Sequence, residues 1–136
     1  MSKLEEKIIS LLKKAKLDFR REKSYNNLKK GKYRFDFKVY VEGAPVLIEV
    51  QGQQHYIFIS KFFKTRKNFL KQKERDRRKI RYCLTNHIPL YIIPFWEVEN
   101  LQCANDIFQE KFLAKDIWKN DKDWIAHQNL TKGSKF

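Results

Sequence analysis

A chain of 136 residues is long enough for one domain with a substantial core, and 42% hydrophobic with 15% aromatic residues excludes a disordered chain. Thirty Lys and Arg against 16 acids give a net charge of +14, which points to a polyanionic partner, nucleic acid ahead of a membrane surface. The two cysteines, Cys83 and Cys103, stand far apart with no CxxC, which excludes a disulfide framework and a cysteine-based zinc site. The N-terminus mixes Glu and Lys with its apolar residues and no run reaches membrane-spanning length. The expectation is a cytosolic protein with no membrane contact.

Residues 2–16 read as an amphipathic helix. Ser2 is a candidate N-cap with Glu5 at capping-box spacing, and Ile8, Ile9, Leu11 and Leu12 form the apolar face. Glu5 precedes Ile8, Ile9 and Leu12 at helical spacing and projects toward the core side; a cap and a chemical role are both open to it. Residues 17–25 read as an irregular edge strand and 26–32 as a basic loop.

A hairpin spans 33–51. Its first arm puts Phe35, Phe37 and Val39 on one face and Asp36 on the other, and residues 42–45 make the turn. Its second arm puts Val46, Ile48 and Val50 opposite Leu47, Glu49 and Gln51. Adjacent strands then bring Asp36, Glu49 and Gln51 to one side of a sheet. A loop over 52–60 follows, carrying His55.

Residues 61–86 read as the most basic helix, with eleven Lys or Arg against two acids between positions 61 and 81. Phe62, Phe69, Ile80 and Cys83 share a stripe at helical spacing, and Asp76 falls on it. An acid on that inward face is either part of a site or an internal salt-bridge partner. Lys61, Lys64, Arg66, Lys67, Lys71, Arg75 and Arg78 are the candidate phosphate contacts. Residues 90–93 form a short buried strand, parallel to the second hairpin arm because the basic helix is long enough for a crossover. Residues 97–136 suggest one or two short helices with Leu101, Ile107, Phe108, Phe112, Ile117 and Trp118 as apolar contacts, then a frayed end over 131–136. The domain reading is a core over 1–100 and a helical extension over 101–136 packed on the same domain.

Two carboxylates on one face, Asp36 and Glu49, repel unless something positive lies between them. Hard oxygen ligands suit magnesium, with manganese as a substitute. An ion there meets the needs of phosphodiester hydrolysis, which are an activated water and stabilised phosphate charge. Gln51 can orient a water or a phosphate oxygen, and His55 is the natural proton carrier. Glu5 and Asp76 can bind metal, position His55 or anchor basic residues. The constellation therefore reads as a metal-dependent nuclease.

Asp36 followed thirteen residues later by Glu49-Val50-Gln51 resembles the PD-(D/E)xK nuclease core, with Gln where lysine usually stands. RFDF at 34–37, IEVQGQQHY at 48–56, RD at 75–76, YC at 82–83, NHIPL at 86–90 and IPFWE at 93–97 look like the very-short-patch-repair-type endonucleases. They look most like the small phage-associated branch that includes the EDxHD homing endonucleases. The resemblance covers residues 2–100. It implies an α/β fold with a mixed central sheet flanked by helices on both sides, and magnesium-dependent cleavage of one or both DNA strands in a host cytosol. By position, Glu5 matches the first acid on the leading helix, Asp36 the metal-binding Asp, His55 the catalytic His and Asp76 the final Asp. Glu49 and Gln51 match an E-x-Q form of the second strand. Some relatives carry structural zinc on clustered Cys and His; this chain lacks those residues, so no zinc is expected.

Trp96, Trp118, Trp124, Phe58, Phe62 and Phe63 can stack on bases or pack in the core. His87 and His127 lack ligand-spaced neighbours and read as surface residues. Double-strand cleavage by one site per domain would need a homodimer or a second encounter. The competing reading is a catalytically silent, DNA-binding or regulatory protein on the same scaffold. An RNA-directed module ranks last, since no RNP-like motif or GxxG loop is present.

Overall fold

The structure is a computed structural model that describes residues 2–55 and 65–115. Helix α1 is Lys3–Lys14, followed by strand β1 (Phe19–Ser24), the hairpin strands β2 (Arg34–Val41) and β3 (Ala44–Gln51), helix α2 (Arg66–Thr85), strand β4 (Leu90–Pro94) and one helical turn, α3 (Phe95–Val98). The sheet order is β1-β2-β3-β4. β1–β2 and β2–β3 are antiparallel and β3–β4 is parallel, with α2 as the crossover. The molecule is thus α/β with a four-stranded mixed sheet.

Alternation along β3 places a layer on each face of the sheet. Val46 and Ile48 join Ile8, Leu11 and Leu12 of α1 in one core cluster, while Leu47 joins Ile80, Tyr82 and Cys83 of α2 in the other. Helix α1 begins where the Ser2 Oγ accepts the Glu5 N–H at 3.1 Å. Glu5's own carboxylate turns to Arg21 at 3.4 Å, so only the first half of a capping box is in place. Helix α2 begins at its Thr65 cap, and the expected turns over 61–64 lie outside the described residues.

Two expectations are corrected here. The hairpin turn is two residues, Glu42 (φ 52) and Gly43 (φ 81), because Ala44 and Pro45 already pair with Val41 and Tyr40. Phe35 does not share the cluster of Phe37 and Val39 but packs with Leu28, Leu47 and Ile80. This change of side falls where the β2–β3 pairing ends, at Phe37↔Ile48, and where Glu22, across from Asp36 on β1, takes φ 52. Of the one or two short helices expected over 97–136, the described residues show two 3₁₀ turns, at Ala104–Asp106 and Glu110–Phe112. Leu101, Ile107 and Phe112 bury into the α1-side cluster. Ile117, Trp118 and everything after 115 lie outside the described residues, as does the 131–136 segment.

Among the described residues, no helix is long and apolar enough to cross a membrane.

Candidate functional site

The β2–β3 ladder opens at Asp36, and that opening forms the site. Beyond Phe37↔Ile48 the strands no longer pair, and the Val50 N–H donates to the Asp36 carboxylate at 2.7 Å. A side chain has replaced a ladder partner, which holds the carboxylate between the strands. Glu49, only 6% exposed, lies within its field. Burial pushes the Asp36 carboxyl above the ordinary range. The Val50 N–H and Lys79 pull it back, Glu5 pushes it up and His55 draws it down. Burial pushes Glu49 further, to about 8, against the pull of Lys79 and with a push from Asp36. Lys79, 2.9 Å from Glu49 Oε1, acts on both carboxylates.

Lys79 and Gln72, both on α2, are residues that the sequence reasoning missed, and Lys79 is the charged one. Its Nζ donates to Glu49 Oε1 at 2.9 Å, and it also draws Asp36 down. The signal was present: Lys79 follows Asp76 by three positions, so it shares the inward face of α2. A basic residue on that stripe was hidden by the general basicity of the segment.

Asp76 is 5% exposed, and among the described residues its ion-pair partner is His55, whose Nδ1 lies 2.9 Å from Oδ2. Gln72, one turn earlier, donates to Asp76 Oδ1 at 3.0 Å. The carboxylate thus fixes the His55 ring and leaves Nε2 as the nitrogen directed away from it. His55 sits in a short 3₁₀ turn, Gln53–His55, directly after β3.

Glu5 lies close enough to raise Asp36, yet its hydrogen-bonded partner is Arg21 on the edge strand. Gln51 is buried and lines a cleft with His55 and Asp76, two positions along β3 from Glu49. The six singled-out residues therefore converge in two linked groups. One is Asp36–Glu49–Lys79 with Glu5 at its edge; the other is His55–Asp76–Gln72 with Gln51.

Asp36 and Glu49 offer hard oxygen donors. One oxygen of each is engaged, Oδ2 by Val50 and Oε1 by Lys79, leaving Oδ1 and Oε2 outside those bonds. Among the described residues no group of three or more His, Cys, Asp or Glu gathers as a metal-holding set. Magnesium is commonly held by one or two carboxylates, with waters and substrate phosphates completing its shell, so the pair fits that ion.

The basic face of α2 is partly as expected. Arg66, Lys67, Lys71 and Arg75 are exposed, with Arg75 stacked 5.5 Å from the Tyr33 ring centroid. Arg78 is not on that face. It is 5% exposed and bound to Glu74 at 2.6 Å, because its position on the helix turns it inward. Lys61 and Lys64, with Phe58, Phe62 and Phe63, lie outside the described residues, as do Trp118, Trp124 and His127. His87 is exposed, as expected of a surface residue. Trp96 is 53% exposed and so belongs to the surface, not the core.

No protein-family model matches the chain, and no solved structure matches it. A 67-residue stretch, 49% of the chain, is 33% identical to uncharacterized protein 307L of Invertebrate iridescent virus 6. That stretch covers 34% of the relative, about a third of its length.

Proposed function

We propose that this protein is a magnesium-dependent DNA endonuclease built on a PD-(D/E)xK-type core. One observation carries the reading: an Asp held in the opening of a hairpin shares its field with a buried Glu, a Lys and a His–Asp pair. Bound by Asp36 and Glu49, magnesium (or manganese) would supply water activation and neutralise charge on phosphate. The chain's own residues supply the rest. Asp76 holds the Nδ1–H of His55, so Nε2 can take a proton from water or give one to the leaving oxygen. Gln72 keeps Asp76 in place. Gln51 orients a water or a phosphate oxygen, and Lys79 brings the cation that the motif usually carries at that strand position. Glu5 is a weaker member, tied to Arg21. The exposed bases of α2 hold the phosphate backbone.

A second reading is favoured by a specific feature. Asp36 already has the Val50 N–H and Glu49 already has Lys79, a self-satisfied arrangement that suits a catalytically silent protein acting by binding DNA or a protein partner. Supercoiled plasmid incubated with the protein and magnesium separates the two. The endonuclease reading expects relaxed circles ahead of linear product, since one site cuts one strand unless a homodimer forms. EDTA stops the reaction, and Asp36→Asn lowers the rate by at least about a hundredfold while DNA binding persists. No change to plasmid, single-stranded or branched DNA with magnesium or manganese would establish the silent reading.

A further inference from the structure

A cleft of about 380 Å³ opens beside the His55–Asp76 pair. Its polar floor is the site already described, but its walls belong to nothing used so far. Ile92 and the exposed Trp96 give it apolar surface, and Lys73 of α2 and Lys111 of the 3₁₀ turn line it as well. Lys111 is tied to Glu97 at 3.5 Å with its side chain 55% exposed, an ion pair weak enough for a phosphate to displace.

We propose that this cleft receives one unpaired nucleotide of a DNA strand, its base against Trp96 and its phosphate between Lys73 and Lys111. The volume lies near the lower end of ligand sites, about 300–1,000 Å³, which suits one base with its sugar and not a duplex. An indole that stays half exposed on the wall of a cation-lined cleft is a stacking platform of the kind that binds bases regardless of identity. The floor adds meaning to the location. A nucleotide held here lies next to His55, so its neighbouring phosphate is presented to the proton carrier, and unpaired positions become preferred over continuous duplex. The inference rests on the endonuclease reading for the choice of DNA; the +14 charge favours a polymer over a free nucleotide.

The test measures binding in EDTA, where no cleavage occurs. Two short fluorescein-labelled duplexes, alike except for one extra bulged adenine, are titrated with the full chain and followed by anisotropy. The bulged duplex should bind on the order of tenfold more tightly. W96A should bring the two affinities within about twofold of each other, and W96F should retain most of the preference. Equal affinities in the unaltered chain, a preference that survives W96A, or loss of all DNA binding in W96A overturns the proposal. Tighter binding of the same bulge made in RNA overturns the assignment to DNA. Absence of plasmid cleavage with the bulge preference intact removes the hydrolytic reading and leaves the pocket standing.

Discussion

Glu49 is the residue on which charge and stability meet. Burial raises its carboxyl to about 8 even with Lys79 at 2.9 Å, so the folded chain binds a proton there that the unfolded chain releases near its ordinary value of 4.5. The stabilisation from this group is therefore fully present below that lower value and is lost as pH rises through about 8. In EDTA, urea unfolding should show stability falling between pH 5 and pH 9 by an amount on the order of a few kcal/mol. Glu49→Gln should flatten that decline, and an unchanged slope would mean that Glu49 is not the group that titrates. The neighbouring thiol allows a second check. Burial and the nearby Glu49 push Cys83 up to about 12, while Cys103 is exposed. Ellman's reagent at pH 8 should react promptly with one thiol per folded chain and with the second only on unfolding; two fast thiols would contradict the burial of Cys83.

At the scale of elements, the hairpin turn sets the register that brings Asp36 level with Glu49. Gly43 has φ 81 and nothing within 4 Å of where a Cβ would stand, so a side chain there meets backbone strain alone. Gly43→Ala should cost about 1 kcal/mol in urea unfolding, and Gly43→Val somewhat more. A neutral result would mean that the turn does not hold this geometry. The strands, and every face assignment but that of Phe35, were legible because inward and outward positions alternate along 34–41 and 46–51. The turn was read two residues too long because Ala44 and Pro45 carry no alternation, whereas Pro's fixed φ suits an extended strand end. Phe35 could not be placed from its spacing, since the side it takes depends on where pairing stops and on a Glu22 backbone that no pattern announces. Asp36, Glu49, Gln51 and Asp76, singled out by type and spacing, are all buried or nearly so and lie close together in the fold, while Glu5 stands at their edge with Arg21. Lys79 was not singled out, because one lysine among eleven basic residues carries no contrast. The turns over 101–115 kept helix-like apolar spacing without the length to form α-helix, so packing was readable there and conformation was not.

Across the whole molecule, exposed basic residues lie over both sheet faces, and the proposed DNA partner would meet one of them. Helix α2 covers one face and exposes Arg66, Lys67, Lys71 and Arg75 on its outer side, beside the site. Helix α1 covers the other face and ends in exposed Lys13 and Lys14. If duplex DNA lies along α2, only the first set displaces counterions. Binding should then weaken linearly on a logarithmic salt scale, and each phosphate-contacting cation should contribute about 0.9 to the slope. Replacing Lys67, Lys71 and Arg75 together by Ala should reduce that slope by about 2–3 and weaken binding to all sequences alike. Replacing Lys13 and Lys14 should leave the slope unchanged although the net charge falls, which separates docking from general attraction. Arg78→Ala belongs to neither class: it breaks the buried pair with Glu74, so it should lower thermal stability and leave the slope of the surviving folded protein as it was. Equal slope changes for the α1 and α2 variants would mean that DNA meets the molecule without orientation, and a site at the open end of the hairpin would then have no fixed phosphate to act on.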